Sequence, residues 1–332
     1  MNTKLVLVTG ATGFLGHHIV RVLRQRNFDV VAFVRQGSEV GALQQMGCRV
    51  VRGQLSDEKK LHTIIASCSY VIHCASKTDQ QCIDFSEYEA ANIETTKHLV
   101  EVCKKHPIKR FVYVSTANCF TSGSLDHPGK DDSRFMDFLR NSGYAYSKYL
   151  AQQHVFEAAK NGFPAVIVAP AFMVGPFDAK PSSGRLLLYA LRNNIVFYPR
   201  GGKSFADVSA VATAVVNALS QGRNGECYLL SGVNLSYKDY FAKIANLSGQ
   251  WKIFIPLPKW IPALLDWLHA RFPGKKTMLL KTNIRMLFSD NYFSNTKAKS
   301  ILKMPETNID HAILETIKWF NGQEMADTNP KL

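Results

Sequence analysis

The run Gly10-Ala11-Thr12-Gly13-Phe14-Leu15-Gly16 constrains this chain more than any other feature. It lies between a strand-like stretch, Leu5-Val6-Leu7-Val8, and a helical pattern over residues 15–26. In that context Gly10 permits a tight turn, Gly13 lets the backbone approach a pyrophosphate, and Gly16 lets the helix pack close to the strand. The helix then presents free N–H groups and the positive end of its dipole to the phosphates. The spacing is G-x-x-G-x-x-G rather than the commoner G-x-G-x-x-G. A chain that opens this way is expected to build a parallel sheet and to hold a dinucleotide.

The next 160 residues or so extend that pattern. Short apolar runs at 5–8, 30–34, 49–51, 70–73, 111–114 and 165–168 alternate with helical stretches such as 15–26 and 92–105. Strand–helix alternation with right-handed crossovers gives a doubly wound α/β fold with helices on both faces. After Pro170 the alternation fails. The run from Gly175 through Pro176-Phe177-Asp178-Ala179-Lys180-Pro181-Ser182-Ser183 to Gly184 is rich in breakers and reads as a loop. A helix at 207–219 and a strand at 226–230 are expected to return to the main sheet. From Ser236 onward the pattern is helical and irregular, with Trp251, Trp260, Trp267 and Trp319. The expected organisation is a Rossmann domain over 1–170 plus about 205–232, a smaller, mostly helical substrate lobe over 171–204 plus about 233–322, and a tail over 323–332.

Seven cysteines, an odd number without a C-x-x-C, indicate neither a zinc site nor a disulfide framework, and no metal ligands are assigned. Buried free thiols in a reducing, cytoplasmic compartment are the simplest reading. The N-terminal strand is too short for a signal peptide, and no apolar stretch reaches the ~18 residues that span a bilayer. The formal charge of +14 attracts anions such as dinucleotides, nucleotide-sugars or anionic lipid. The densest cluster, Lys104-Lys105-His106-Pro107-Ile108-Lys109-Arg110, has no interleaved aromatics and reads as a solvated helix end, not a nucleic-acid site. The amphipathic segment from Trp260 to Phe272, followed by Lys275-Lys276, has two readings. One is a helix lying in a membrane interface. The other, preferred because the segment is short and stands alone, is a lobe helix lining an apolar pocket.

Three further groups carry chemistry. The second strand ends Phe33-Val34-Arg35. Arg35 cannot accept hydrogen bonds from ribose hydroxyls but can grip a 2′-phosphate, and Asp29 sits at the wrong end of the strand. NADP(H) is therefore favoured, with NAD(H) as the alternative. Tyr144 and Lys148 stand four residues apart and share a helix face. An ammonium there stabilises phenolate and lowers a phenol pKa that is ordinarily ~10, fitting the tyrosine for proton transfer. Tyr146 is out of phase with the lysine and is expected to pack. Ser115 and Thr116 follow the fifth strand, at the edge where ligands bind, and either hydroxyl suits a substrate oxygen.

These residues, in this order, resemble the extended short-chain dehydrogenase/reductase superfamily from Lys4 to roughly Phe320. The turn from Thr9 to Gly16 matches the family's cofactor turn. His73-Cys74-Ala75-Ser76 resembles its H-x-A-[SA] strand end, and Asn92 its N-x-x-G-T helix, with Thr95 in place of the glycine. Thr116, Tyr144 and Lys148 match the catalytic Ser/Thr, Tyr and Lys. Pro170 and Val174-Gly175-Pro176 resemble the R-P-x-x-V-x-G-P segment that closes over the nicotinamide, with Ala169 where Arg is usual. The resemblance thus implies a cofactor site of Gly10, Thr12, Gly13, Phe14, Leu15, Gly16, Arg35, Leu55, Ala75, Ser76, Asn92, Ser115, Tyr144, Lys148, Pro170 and Val174. Phe33-Val34-Arg35, the 175–185 segment, the run from Asn291 to Ala298 and the closing Ile317-Lys318-Trp319-Phe320 look most like the dihydroflavonol-4-reductase-like branch. Gln54 stands where the family's G-D-[IL]-x-D has its adenine-contacting Asp. Ala117-Asn118 replace the Asp-Glu of nucleotide-sugar dehydratases, which disfavours elimination of water.

The implied activity is reduction of a ketone, or oxidation of a secondary alcohol, by hydride transfer. Tyr144 would be the acid/base, Lys148 would hold the ribose and tune Tyr144, and Thr116 would orient the substrate oxygen. The tryptophan-bearing lobe leans toward a bulky steroid-, terpenoid- or flavonoid-like substrate. An alternative is a sugar or nucleotide-sugar epimerase with tightly held cofactor, for which Arg185, Arg192 and Arg200 could clamp a diphosphate. A second alternative is a non-catalytic dinucleotide sensor, although retention of both Tyr144 and Lys148 counts against it. The resemblance also implies a homodimer.

Overall fold

The computed structural model describes residues 4–80, 82–132, 134–179 and 184–327. Residues 1–3, Lys180-Pro181-Ser182-Ser183 of the breaker-rich loop, and 328–332 of the expected tail lie outside the described residues. The first half runs β1 (Leu5–Thr9), α1 (Phe14–Gln25), β2 (Asp29–Val34), α2 (Gly41–Gln45), β3 (Arg49–Arg52), α3 (Glu58–Ile65), β4 (Tyr70–His73) and α4 (Phe85–Tyr88). A π-helical turn, Glu89–Glu94, joins α4 to α5 (Thr95–Lys104). Then come β5 (Arg110–Val114), α6 (Gly143–Lys160), β6 (Ala165–Pro170) and β7 (Phe172–Val174). The second half holds α7 (Gly184–Arg192), β8 (Ile195–Tyr198), β9 (Gly202–Asp207), α8 (Val208–Gln221), β10 (Cys227–Leu230), β11 (Val233–Ser236) and α9 (Tyr237–Ser248). It closes with β12 (Ile253–Pro256), α10 (Ile261–Arg271), α11 (Lys275–Phe288), β13 (Asp290–Asn291), α12 (Thr296–Ile301) and α13 (Ile309–Asp327).

Seven parallel strands form the main sheet in the order β10-β6-β5-β4-β1-β2-β3. The fold is α/β and doubly wound, as the alternation implies. Side chains alternate across it. Val6 and Val8 of β1 join one apolar layer with Ile19 and Leu23 of α1 and Val211 and Val215 of α8. Leu7 joins the opposite layer with Leu61 of α3, Leu99 of α5 and Val155 of α6. Both faces are covered, which is why the strands read as unbroken apolar runs rather than as an alternation. β10, expected to return to the sheet, lies on its edge beside β6.

The sequence reading missed the short strands after Pro170. β7, β9, β11 and β13 build a second sheet, and β8 pairs with β12 in parallel. These strands have two to six residues and mostly mixed burial, so no period-2 pattern marks them. They frame a third apolar cluster that includes Val174, Leu187, Phe205, Tyr240 and Ile313, where the Phe205 and Tyr240 rings stack at 3.9 Å. Part of the expected tail, residues 323–327, continues helix α13.

All seven cysteines are free; Cys68, Cys103, Cys119 and Cys227 are buried, whereas Cys48, Cys74 and Cys82 are partly exposed. In the basic cluster, Lys104 pairs with Glu101 at 2.6 Å and Lys105 with Glu58 at 3.1 Å. No helix among the described residues is long and apolar enough to cross a membrane.

Phe205 is fully buried at the centre of the third cluster. Phe205→Ala should lower stability by about 3–5 kcal/mol, read from urea unfolding; a loss under about 1 kcal/mol would mean that this cluster is not packed as described.

Candidate functional site

In the main sheet the strand order reverses between β1 and β4, and the crevice outside their carboxyl ends is where such sheets bind ligands. The two strand ends are level there, with Thr9 opposite His73. Gly10 leaves β1 at a φ of +72°, and a Cβ on it would stand 2.6 Å from the backbone N of Ala75. A Cβ on Gly16 would run into the Gly10 carbonyl. Only glycine lets the turn, the start of α1 and the end of β4 meet so closely.

The turn fits a dinucleotide phosphate. Gly13 is the N-cap of α1, with no side-chain cap and no acid in the first turn, so no side chain occupies the leading amides. Thr12 and Gly13 are exposed, Phe14 is partly so, and Leu15 and Gly16 are buried behind them. One strand over, Arg35 is exposed at the carboxyl end of β2. The following loop folds against that end through Gly53, whose N–H donates to the Val34 carbonyl at 2.9 Å, and Leu55 lies there half-buried.

A buried polar chain ties this region together. The Thr9 hydroxyl accepts from the Ala75 N–H at 3.3 Å and lies 2.7 Å from His73 Nδ1. His73 Nε2 lies 3.1 Å from the Thr96 hydroxyl, which donates to the Asn92 carbonyl at 2.6 Å. The consistent arrangement is a neutral imidazole with its proton on Nε2. Burial holds its pKa down at about 3. Thr95 likewise donates to the Ala91 carbonyl at 2.6 Å, so two threonine hydroxyls reach carbonyls of the π-helical turn.

Asn92 bridges two elements. Its Oδ1 accepts from the Lys77 N–H at 2.7 Å and the Ser76 hydroxyl at 3.0 Å. Its Nδ2 donates to the Lys77 carbonyl at 3.1 Å and to Ser147 Oγ at 2.9 Å. With 1% of its surface exposed, it clamps the loop after β4 to α6. Ser147 lies on α6 between Tyr144 and Lys148, and sequence reasoning had no periodic signal for it.

Helix α6 starts at the Ser142 N-cap and brings Tyr144 to the end of β5, beside Thr116. Tyr144 is partly buried, and desolvation pushes its phenol up to about 12, with the Thr116 hydroxyl pulling the other way. Lys148 is 2% exposed, donates to the Val114 carbonyl at 2.7 Å and sits 4.2 Å from the centroid of the Tyr113 ring. Burial brings its pKa down to about 8. The expected lowering of the phenol pKa by this ammonium is therefore not what sets the site. The shared helix face holds, but the ammonium is spent on a carbonyl and a ring while burial governs the phenol.

The remaining sequence-predicted positions lie partly in the interior and partly at the surface. Ser115 is buried, and its hydroxyl donates to Gln152 Oε1 at 2.5 Å, so its side chain faces the interior. Pro170 is buried at the end of β6, and Val174 lies in the third apolar cluster. Tyr146 packs near Phe85 and Phe135 as expected, and it also lines a cavity of about 540 Å³ with Ile83, His269, Lys275 and Met278. Tyr144 is not in the wall of that cavity; the cavity abuts the turn of α6 that carries it, at Gly143. Arg185, Arg192 and Arg200 are exposed.

Residues 6–231 match the profile of the NAD dependent epimerase/dehydratase family. The chain is 26% identical over 327 residues to Sterol demethylase protein B of Methylococcus capsulatus, covering 96% of this chain and 99% of that protein. It is 25% identical over 320 residues to a Sterol-4-alpha-carboxylate 3-dehydrogenase, decarboxylating, of Dictyostelium discoideum, covering 92% and 96%. Among solved structures, a nucleoside-diphosphate-sugar epimerase from Pseudomonas aeruginosa aligns with a TM-score of 0.78 at 26% identity, over 96% of this chain and 98% of that one.

The buried imidazole gives a pH signature. His73 titrates at about 3 when folded and ordinarily at ~6.5 when unfolded, so between these values the unfolded chain binds more protons. Its contribution is complete above ~6.5 and is lost as pH falls toward 3. His73→Gln should flatten the pH dependence of unfolding free energy between about pH 4 and 6.5, measured by denaturant titration at each pH; parallel curves for variant and wild type would refute the neutral buried imidazole.

Proposed function

From the premise that the chain belongs to the NAD dependent epimerase/dehydratase family, we propose that it reduces a ketone on a bulky apolar substrate, or oxidises the matching alcohol, with NADP(H) as the preferred cofactor. The chain is an NAD(P)-dependent oxidoreductase of the extended short-chain dehydrogenase/reductase type. The observation that carries the finer reading is the meeting of Tyr144 and Thr116 at the end of β5, with Lys148 buried behind them.

A bound nicotinamide would supply the hydride. The chain's own groups do the rest. Thr116 and Tyr144 hydrogen-bond the substrate carbonyl oxygen and orient it. As the oxygen gains charge, Tyr144 donates its phenolic proton to it; in the oxidative direction it takes the proton back. A phenol held at about 12 keeps that proton across the physiological range, the state that proton donation during reduction requires. Lys148 is a buried positive charge one helical turn from Tyr144, and with its pKa near 8 it loses that charge on mild alkalinisation. Gly10, Thr12 and Gly13 would hold the pyrophosphate, Arg35 the adenosine 2′-phosphate, and Ala75 and Ser76 would flank the cofactor; Asn92 acts by holding their loop against α6.

Two relatives are named for sterols, which supports a bulky apolar substrate. The likeness to a nucleoside-diphosphate-sugar epimerase keeps a second reading open, in which the hydride returns to the substrate. Net NADPH consumption with a ketone separates the two. The division into a Rossmann domain and a substrate lobe, a cytoplasmic site of action and a homodimer remain parts of this reading; light scattering that gives the mass of a single 37.1 kDa chain would remove the dimer.

Tyr144→Phe should lower kcat by about 10²-fold or more while leaving NADPH affinity within about twofold, measured by steady-state rates and fluorescence titration. Full turnover in that variant would remove the mechanism. Reductive kcat/KM should stay level toward neutral pH and fall above about 8 as Lys148 loses its proton. Arg35→Ala should reduce the preference for NADPH over NADH by about tenfold, and an unchanged ratio would overturn that assignment.

A further inference from the structure

Helix α10 is apolar over most of its circumference: Ile261, Leu265 and Leu268 are half-buried, and a second apolar row is turned outward. Trp260 at its N-cap, then Ala263, Leu264, Trp267 and Ala270, are exposed at helical spacing, followed by exposed Phe272. Trp260, Trp267 and Phe272 each keep about 60% of their surface open. The polar group of the helix points the other way. Asp266 is half-buried against α11, where it pairs with Lys281 at 3.1 Å and Arg285 at 2.8 Å. A helix folded only to close a pocket would bury its tryptophans and expose its carboxylate. Here the ion pairs fix α10 to α11 in the opposite orientation.

Within the segment that carries that face the charge is one-sided, and across the cavity Asp84 faces Lys275. Residues 251–289 contain seven Lys and Arg and one acid, Asp266. Lys259, Arg271, Lys275 and Lys276 are exposed at the two ends of α10, and the one acid is turned inward. Tryptophan and phenylalanine at half depth with lysine and arginine around them match the boundary of an anionic bilayer: rings among the headgroups and upper chains, ammonium groups on the phosphates. Helices α10 and α11 also form a wall of the cavity, through His269, Lys275 and Met278.

We propose that the outward face of α10, with the basic residues at its ends, docks the protein reversibly on anionic lipid membranes. No proton chemistry is involved, so the docking stands apart from the role given to Tyr144; a Tyr144→Phe protein keeps it whether or not that variant retains activity.

The test is sedimentation of the full chain with vesicles at about 0.15 M salt, comparing pure phosphatidylcholine with mixtures containing about 30% phosphatidylglycerol. Binding to the mixed vesicles, at least about tenfold weaker on phosphatidylcholine alone, is expected. Trp260→Ser with Trp267→Ser, and separately Lys275→Glu with Lys276→Glu, should each weaken it by about tenfold or more, with NADPH affinity and melting temperature as checks on folding. The lysine pair is exposed, so it decides the matter if the tryptophan pair fails to fold. Mid-chain brominated lipid should quench tryptophan emission of the wild type. Absence of binding to the mixed vesicles, binding indifferent to both pairs of substitutions, or self-association in lipid-free buffer that the tryptophan substitutions abolish would each overturn the proposal; the last would mark the face as an interface between two copies of the chain.

Discussion

Backbone meeting backbone at the end of β1 is the constraint on which the site depends. The Gly10 turn lies against the peptide that leaves β4, and the start of α1 lies against Gly10 itself. A side chain at either contact would push α1 away from the sheet. The leading amides of α1 would then leave the crevice, and the phosphate cradle with them. Thr9, His73 and Thr96 reinforce the contact from below with a chain of buried hydrogen bonds that needs an uncharged imidazole. Packing and polar satisfaction select the same geometry, as expected when local and global preferences agree.

The second consequence is a division of labour among polar residues. In the proposed mechanism the groups that meet the ligand are few: the turn, Thr116 and Tyr144. Behind them stand groups whose hydrogen bonds are completed inside the protein. Asn92 joins a loop to a helix, Ser115 binds Gln152, and Lys148 holds the Val114 carbonyl. Such groups cannot be told from ligand contacts by residue type. They matter because a proton donor misplaced by about 1 Å loses much of its effect.

Much of the fold was legible in the chain, for definite reasons. Six runs of β-forming apolar residues became parallel strands because burial on both faces leaves an unbroken pattern. The glycine turn and the Tyr144–Lys148 spacing were legible because each is a local motif with a fixed geometric meaning. The second sheet was not legible, since strands such as Val233–Ser236 are held at intermediate burial and carry no period. Nor was the outward side of α10. Periodicity reveals that a helix has an apolar face; which way that face turns depends on the pairing of Asp266 with residues 15 and 19 positions later in the chain. The Asn92 bridge stayed hidden because it forms only once the sheet has brought residues 77, 92 and 147 together.

The π-helical turn has a consequence of its own. Residues 89–94 carry one residue more per turn than an α-helix needs, and that surplus sets the angle from which the Asn92 amide leaves the backbone. Removing a single residue there would let the helix relax to ordinary winding and rotate its leading segment by about 100° relative to α5. The amide would swing off the loop and off α6 together. The clamp therefore depends on the number of residues in this stretch as much as on the Asn92 side chain itself.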